Sequence, residues 1–318
     1  MKIAVVVPCY KVQDHILSVL EKIGDTVSNI YVVDDACPEG SGHLVQKYCK
    51  DPRISVIFNE KNMGVGGAVI RGYQAAILHN CDIIVKLDGD DQMDPKLIPI
   101  FTSAIERREA DYTKGNRFFY LNQIKKMPKL RVFGNIALSI MTKFSSGYWD
   151  IFDPTNGYTA IHIHTVKRLP LEKISQRYFF ESDMLFRLNS IRAVVMDIPM
   201  EAVYGREKSN LTIFRIVAEF LFKHFKNFLK RIFYTYYLRD VSAASLELPI
   251  GLFGLIFGFI FGGYHWYLSI KTGIVASTGT VLISAVPIIV GVNFIISFIN
   301  HDMASVPKKS IHHFRNMN

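Results

Sequence analysis

Short apolar runs alternate with polar, helix-compatible stretches along residues 1 to about 208, and the pattern then changes. Ile3–Val7, Ile30–Val33 and Ile83–Leu87 are short, rich in Ile and Val, and end at turn-forming or acidic residues, as buried strands do. Alternating strand and helix patterns predict an α/β domain with a mostly parallel sheet, and about 200 residues suffice for one large core. From Leu246 to Ile270 and from Ile274 to Ile299 the chain carries almost no charge. Each run is long enough to cross a hydrocarbon core as a helix, so the two predict a transmembrane hairpin. Gly251, Gly254, Gly258, Gly262 and Gly263 in the first run would let a partner helix approach closely.

Phe214 to Tyr237 follows a different rule. Ala218, Leu221, Phe222, Phe225, Phe228, Leu229, Ile232, Phe233 and Tyr236 recur at helical spacing, while Glu219, Lys223, Lys226, Asn227, Lys230 and Arg231 fill the other face. This predicts an amphipathic helix lying on a membrane surface. The expected organisation is an α/β domain at 1–208, an interfacial amphipathic helical region at 209–244, the hairpin at 245–300 and a basic tail at 301–318.

Charge refines this picture. The net charge is +9 and the pI about 9.2, but the basic interfacial helix accounts for much of it by suiting anionic headgroups, so nucleic acid is discounted as a partner. The loop between the spans holds only Lys271, whereas the flanks hold Arg231, Arg239, Lys308, Lys309 and Arg315. The positive-inside rule then places the α/β domain and both termini in the cytoplasm, with a bacterial inner membrane as the expected location. The apolar run at the N-terminus is too short for a signal peptide and reads as the first strand. Cys9, Cys37, Cys49 and Cys81 show no zinc-type spacing and are expected as reduced thiols.

The chemistry concentrates at predicted strand ends. Asp88-Gly89-Asp90-Asp91-Gln92-Met93-Asp94-Pro95 places clustered carboxylates after the third run, where a divalent cation on a phosphate-bearing ligand would neutralise them. Tyr10 and Asp35 follow the first two runs, and ligands of open parallel sheets bind beyond such ends. Asn62-Met63-Gly64-Val65-Gly66-Gly67-Ala68 offers small residues at a helix start without completing a phosphate-binding or dinucleotide motif.

The order VVVPCY, VDDACP, NMGVGGAVIRGYQAA and DGDDQMDP over residues 3–95 resembles the family-2 glycosyltransferases, inverting enzymes of the GT-A fold. Within them it resembles the polyprenyl-phosphate sugar synthases such as dolichyl-phosphate mannose synthase. The likeness continues more loosely through Gly115-Asn116-Arg117, Asp153 to Tyr158, Phe180-Glu181 and Ile198-Pro199. It implies a nucleotide-sugar site at Pro8, Tyr10, Asp35, Gly66, Asp88 and Lys208, with Mg²⁺ or Mn²⁺ held by Asp88, Asp90 and Gln92. Asp90, Glu181 and Asp183 are the implied catalytic residues, and Arg117, Arg131 and Ser209 the implied contacts to an acceptor phosphate. Two departures stand out: Asp91 replaces a usual Gly or Leu, and Cys37 stands where a Ser is frequent.

The implied activity is inverting transfer of a hexose from a UDP- or GDP-sugar to a polyprenyl phosphate at the cytosolic membrane face. The alternative is addition of a sugar to a hydroxyl of a lipid-linked saccharide, for which Glu181 or Asp183 would be the base. A phosphate acceptor needs none, because its oxygen is largely ionised near neutrality. Homo-oligomer formation is left open.

Overall fold

The computed structural model describes residues 1–120, 124, 127, 129–201 and 213–313, with side chains for all of these except Leu130, Arg131 and residues 213–216. Two compact units emerge, residues 1–229 together with 307–318, and residues 230–306. The first unit therefore runs beyond position 208 and includes the segment after the hairpin.

Its centre is a seven-stranded sheet of order β3-β2-β1-β4-β6-β5-β7. The strands are β1 (Ile3–Cys9), β2 (Val27–Asp34), β3 (Ile54–Phe58), β4 (Ile83–Lys86), β5 (Tyr112–Asn116), β6 (Thr159–His162) and β7 (Val195–Pro199). All neighbours are parallel except β6, which runs antiparallel to both β4 and β5. β1 and β4 are buried on both faces, which is why their sequences are nearly unbroken Ile and Val. Strand-to-helix connections carry α1 (Ile16–Glu21), α2 (Ser41–Tyr48), α3 (Val65–Leu78) and α4 (Ile98–Glu106). Gly72 of α3 packs over β1 so closely that a Cβ there would lie 2.7 Å from Val6 Cγ2.

The remaining helices of this unit are α5 (Lys129–Ser146), α6 (Ile163–Arg168), α7 (Phe180–Ser190) and α8 (Ile213–Phe233), the last running across the boundary between the units. On α5 and α8 the polarity is inverted relative to an ordinary surface helix. Asn135, Ser139, Thr142, Ser145 and Ser146 of α5 are buried, as are His224 and Asn227 of α8, and Ser145 Oγ lies 2.8 Å from His224 Nδ1. Phe133, Ile136, Ile140 and Phe144 of α5 and Leu221, Phe222, Phe225 and Leu229 of α8 are exposed. The amphipathic pattern of α8 is thus present, but Asn227 and Arg231 do not belong to a solvated face. Both are buried, because Asn227 donates to Asp183 at 3.0 Å and Arg231 binds Asp302 at 2.6 and 3.0 Å.

In the second unit, α9 (Ala243–Thr272) and α10 (Thr278–Ala304) are each long and apolar enough to cross a membrane, with mean hydropathy 1.9 and 2.4. The expected glycine stripe is the seam between them. A Cβ on Gly251 would lie 3.0 Å from Gly291 O, on Gly254 2.8 Å from Pro287 O, and on Gly258 2.8 Å from Ser284 O. Gly263 faces open space and takes no part.

Candidate active site

The carboxyl ends of β1, β2 and β4 converge on a cleft of about 440 Å³ that brings together Pro8, Tyr10, Asp35, Asp88 and Asp90. Parallel strands in adjacent register put their ends side by side, so residues far apart in sequence meet without special loops. The two acids after β2 divide the work. Asp34 is buried and accepts from Cys37 N at 2.8 Å and Gly42 N at 2.7 Å, fixing the turn into α2. Asp35 faces the cleft and accepts from Asn59 Nδ2, Met63 N and Gly64 N at 2.7 to 2.9 Å, so three donors fix its orientation. Cys37 Sγ accepts from Lys11 N at 3.1 Å and sits 3.3 Å from Ser41 Oγ, placing both a thiol and a hydroxyl beside the turn.

After β4 the backbone tightens. Asp90 accepts from Gln92 N at 3.2 Å, and Asp91 adopts the left-handed conformation with φ of 60°. That conformation favours Gly and tolerates Asp, which accounts for the residue type at this position. Asp91 turns away from the cleft to Lys22 at 2.6 and 2.7 Å, and so neither starts a helix nor supports the carboxylates beside it.

Beneath Asp88 lies a group the sequence reading passed over. Lys86 is 1 % exposed, its ammonium 2.8 Å from Asp88 Oδ1, 3.1 Å from Gly157 O and 3.6 Å from Glu181 Oε1. Strand alternation puts residues two apart on the same face, so a lysine two positions before Asp88 was the available signal. Burial penalises the Lys86 charge, but Asp88 and Glu181 outweigh it and raise its pKa. Burial also raises Glu181 above the usual carboxylate range, with Lys86 opposing and Asp88 reinforcing the shift.

A second cavity, of about 540 Å³, meets the first at Asp88, Val65 and Tyr178. Its floor is Lys86, Asp88 and Glu181, and its walls are apolar residues of α5 and α8, among them Ala137, Leu138, Met141, Val217 and Phe220. Arg177 and Tyr178, also missed, line the first cleft from the segment entering α7. Gly66 seats this segment: its N–H donates to Gln176 O at 2.8 Å, and a Cβ there would lie 2.6 Å from the Phe180 ring. Asp183 secures the same segment by accepting from Ser175 N at 2.8 Å, and it lines neither cavity. Arg117 grips Asp153 through two bonds of 2.7 Å and holds its carboxyl below the usual range despite burial. Lys208 and Ser209 lie outside the described residues, and so does the Arg131 side chain.

The family model described as Glycosyl transferase family 2 matches residues 4–169, just over half of the chain. The chain belongs to glycosyl transferase family 2. This glycosyltransferase is 28% identical over 207 residues to an undecaprenyl-phosphate mannosyltransferase of Micrococcus luteus, covering 64% of the present chain and 84% of that relative. It is 25% identical over 216 residues to a UDP-N-acetylglucosamine–dolichyl-phosphate N-acetylglucosaminyltransferase of Methanococcus voltae, covering 64% and 86%. Among solved structures it is similar in fold to glucosyl-3-phosphoglycerate synthase of Mycobacterium tuberculosis in complex with Mn²⁺, UDP and glucosyl-3-phosphoglycerate. The TM-score is 0.54 and the identity 18%, with 72% and 79% of the two chains covered. The domain therefore has the GT-A fold.

The donor set of this glycosyltransferase fits a hard divalent cation in part. Among the described residues no group of three or more His, Cys, Asp or Glu side chains could hold a metal alone. Asp88 and Asp90 supply carboxylate oxygens at the cleft, and a diphosphate would supply the remaining hard ligands that Mg²⁺ or Mn²⁺ takes.

Proposed function

We propose that the protein transfers a hexose from a nucleotide diphosphate sugar to a polyprenyl phosphate, with inversion, at the cytoplasmic face of a membrane. The observation that carries this reading is the junction at Asp88 between a polar cleft and an apolar chamber. A nucleotide sugar suits the first and the head of a lipid the second. The relatives' names agree on a polyprenyl-type phosphate acceptor while differing in the sugar, so the sugar is left at the level of a hexose.

Mechanistically, a phosphate oxygen of the acceptor attacks the anomeric carbon from the face opposite the leaving group. The bond from that carbon to the diphosphate breaks, and its electron pair leaves on the diphosphate oxygen. No proton needs removal, because the second pKa of a phosphate monoester is about 6. Asp88 and Asp90 would hold Mg²⁺ or Mn²⁺, which when bound screens the charge growing on the leaving diphosphate. Lys86 pairs with both Asp88 and Glu181 and so fixes them at the junction. Glu181 is also the feature that favours the second reading, a hydroxyl acceptor, since burial moves it toward the basicity a general base needs.

Membrane placement is supported by three features. The hairpin helices are apolar, α5 and α8 turn apolar faces outward, and the segment after α10 belongs to the same unit as β1. The last agrees with an even number of crossings, and the excess of Lys and Arg flanking the hairpin supports a cytoplasmic side for those flanks. The deciding assay incubates membranes containing the protein with a panel of UDP- and GDP-sugars and either radiolabelled polyprenyl phosphate or lipid-linked saccharides. Label transfer onto polyprenyl phosphate is expected. Transfer onto saccharides alone would replace this reading with the second.

A further inference from the structure

Lys86 is an expensive residue for its place. It sits in a central strand, paired in register with Thr159 of β6 and Val6 of β1, and is 1 % exposed. A purely structural role would be served at least as well by Ile or Val, because exchanging a buried ion pair for packed apolar groups is often neutral or stabilising. The surroundings are shaped to receive the ammonium. Gly157 O accepts from Lys86 Nζ at 3.1 Å, and a Cβ at Gly157 would collide with Lys86 Nζ and lie 2.6 Å from Asp88 Oδ2. The two carboxylates that face the ammonium come from different places, Asp88 from the end of β4 and Glu181 from the first turn of α7.

We infer that Lys86 is a positioning residue for the transfer, holding Asp88 and Glu181 as one unit where the polar cleft meets the apolar chamber and engaging one Asp88 oxygen so that a cation receives the other. The inference rests on the functional reading above. A positive charge this close to a metal-binding carboxylate weakens cation binding, and in exchange the carboxylate is held in a single orientation. Lys86 thus makes the cation exchangeable while keeping the site assembled.

The experiment compares purified wild type, Lys86→Met, Glu181→Gln and the double variant in detergent. Mn²⁺ binding with UDP present, corrected for the Mn²⁺–UDP complex formed without protein, is read from the free-ion paramagnetic resonance signal, alongside kcat and KM for transfer. Lys86→Met leaves Glu181 and Asp88 without their buried cation, so it is expected to melt below wild type while still folding, and to bind Mn²⁺ about tenfold more tightly, since a nearby like charge has gone. Its kcat should fall roughly 100-fold while the donor KM moves less than about threefold, the pattern of lost transition-state positioning rather than lost binding. In the Glu181→Gln background the same substitution should lower kcat by less than about threefold, because the two residues act together. Losses that multiply, or Mn²⁺ binding that is unchanged or weaker, would overturn the inference. If Lys86→Met fails to fold, Lys86→Gln takes its place, with the same results expected and the same results overturning the inference. The Mn²⁺ measurement needs no acceptor, so it decides on Lys86 even if the functional reading fails.

Discussion

His312 Nδ1 lies 2.8 Å from Asp111 Oδ1, although the two residues are 201 positions apart and the two long apolar helices α9 and α10 lie between them in the sequence. Asp111 is fully buried, and it also accepts from Val194 N at 2.8 Å, Ile311 N at 2.9 Å and His312 N at 3.4 Å. His312 Nε2 meets Ile105 O at 3.0 Å, Ser310 Oγ donates to Arg108 O, and the His312 ring stacks on His162 at 4.2 Å. Among the described residues of this segment, Lys308 and Lys309 are exposed. His312→Ala leaves a buried carboxylate short of a donor and should cost roughly 1–3 kcal/mol. A melting curve in detergent tests this, and an unchanged transition would contradict it.

Acid should loosen the fold before it protonates most carboxylates. Burial, reinforced by His312 and His164, pushes His162 down to about 4, and burial alone pushes His224 down to about 4. Both fall below the ordinary value of 6.5, so the unfolded chain binds these protons first. Their contribution is complete above about pH 6.5 and is lost as pH falls toward 4, at roughly 2 kcal/mol per histidine by pH 5. Melting temperatures measured from pH 7.5 to pH 5 should fall steadily. A flat profile would count against neutral burial of these rings.

Gly66 supports the cleft at one remove. A Cβ there would press on the Phe180 ring and lie 2.7 Å from Ser175 O, displacing the segment that carries Arg177 and Tyr178. Gly66→Ala should therefore raise the donor KM several-fold or more, with a smaller effect on kcat. Steady-state kinetics with saturating acceptor measure it, and a normal donor KM would mean the segment does not touch the donor.

The neighbouring acids Asp90 and Asp91 should behave oppositely. Asp90→Ala removes a carboxylate from the cleft and should lower transfer by two orders of magnitude or more, with the protein still folded, if that carboxylate holds the cation. Asp91→Gly relieves a left-handed backbone at the loss of an exposed ion pair, and should leave stability within about 1 kcal/mol of wild type. Transfer rates, chelator sensitivity and melting curves for the pair are the test. Near-normal turnover in Asp90→Ala would remove that residue from the metal site.

Much of this was legible in the sequence because periodicity and length carry it. Unbroken Ile and Val runs specified β1 and β4, and two long uncharged runs specified the hairpin. Pro8, Tyr10, Asp35, Asp88 and Asp90 meet because strand ends in a parallel sheet are neighbours, so their position after apolar runs was enough. Other features depend on partners distant in sequence. Arg177 and Tyr178 reach the cleft only because Gly66 lets their segment rest on α3. The inward face of α8 is polar because Asp183 and Ser145 receive Asn227 and His224, which a helical wheel cannot reveal. Docking of residues 310–312 has no periodic signature at all, and Lys86 reads as a stray charge in a strand until Glu181 is placed above it.

The central claim, that an acceptor phosphate attacks the sugar, is tested most directly on the product itself. The labelled lipid from a scaled-up reaction with polyprenyl phosphate would be purified and examined by phosphorus and proton nuclear magnetic resonance. The account predicts that the acceptor's phosphate monoester becomes a phosphodiester to the anomeric carbon, with the anomeric configuration inverted relative to the donor. An unchanged phosphate monoester, with the sugar found in a glycosidic bond to a lipid-linked saccharide, would contradict it.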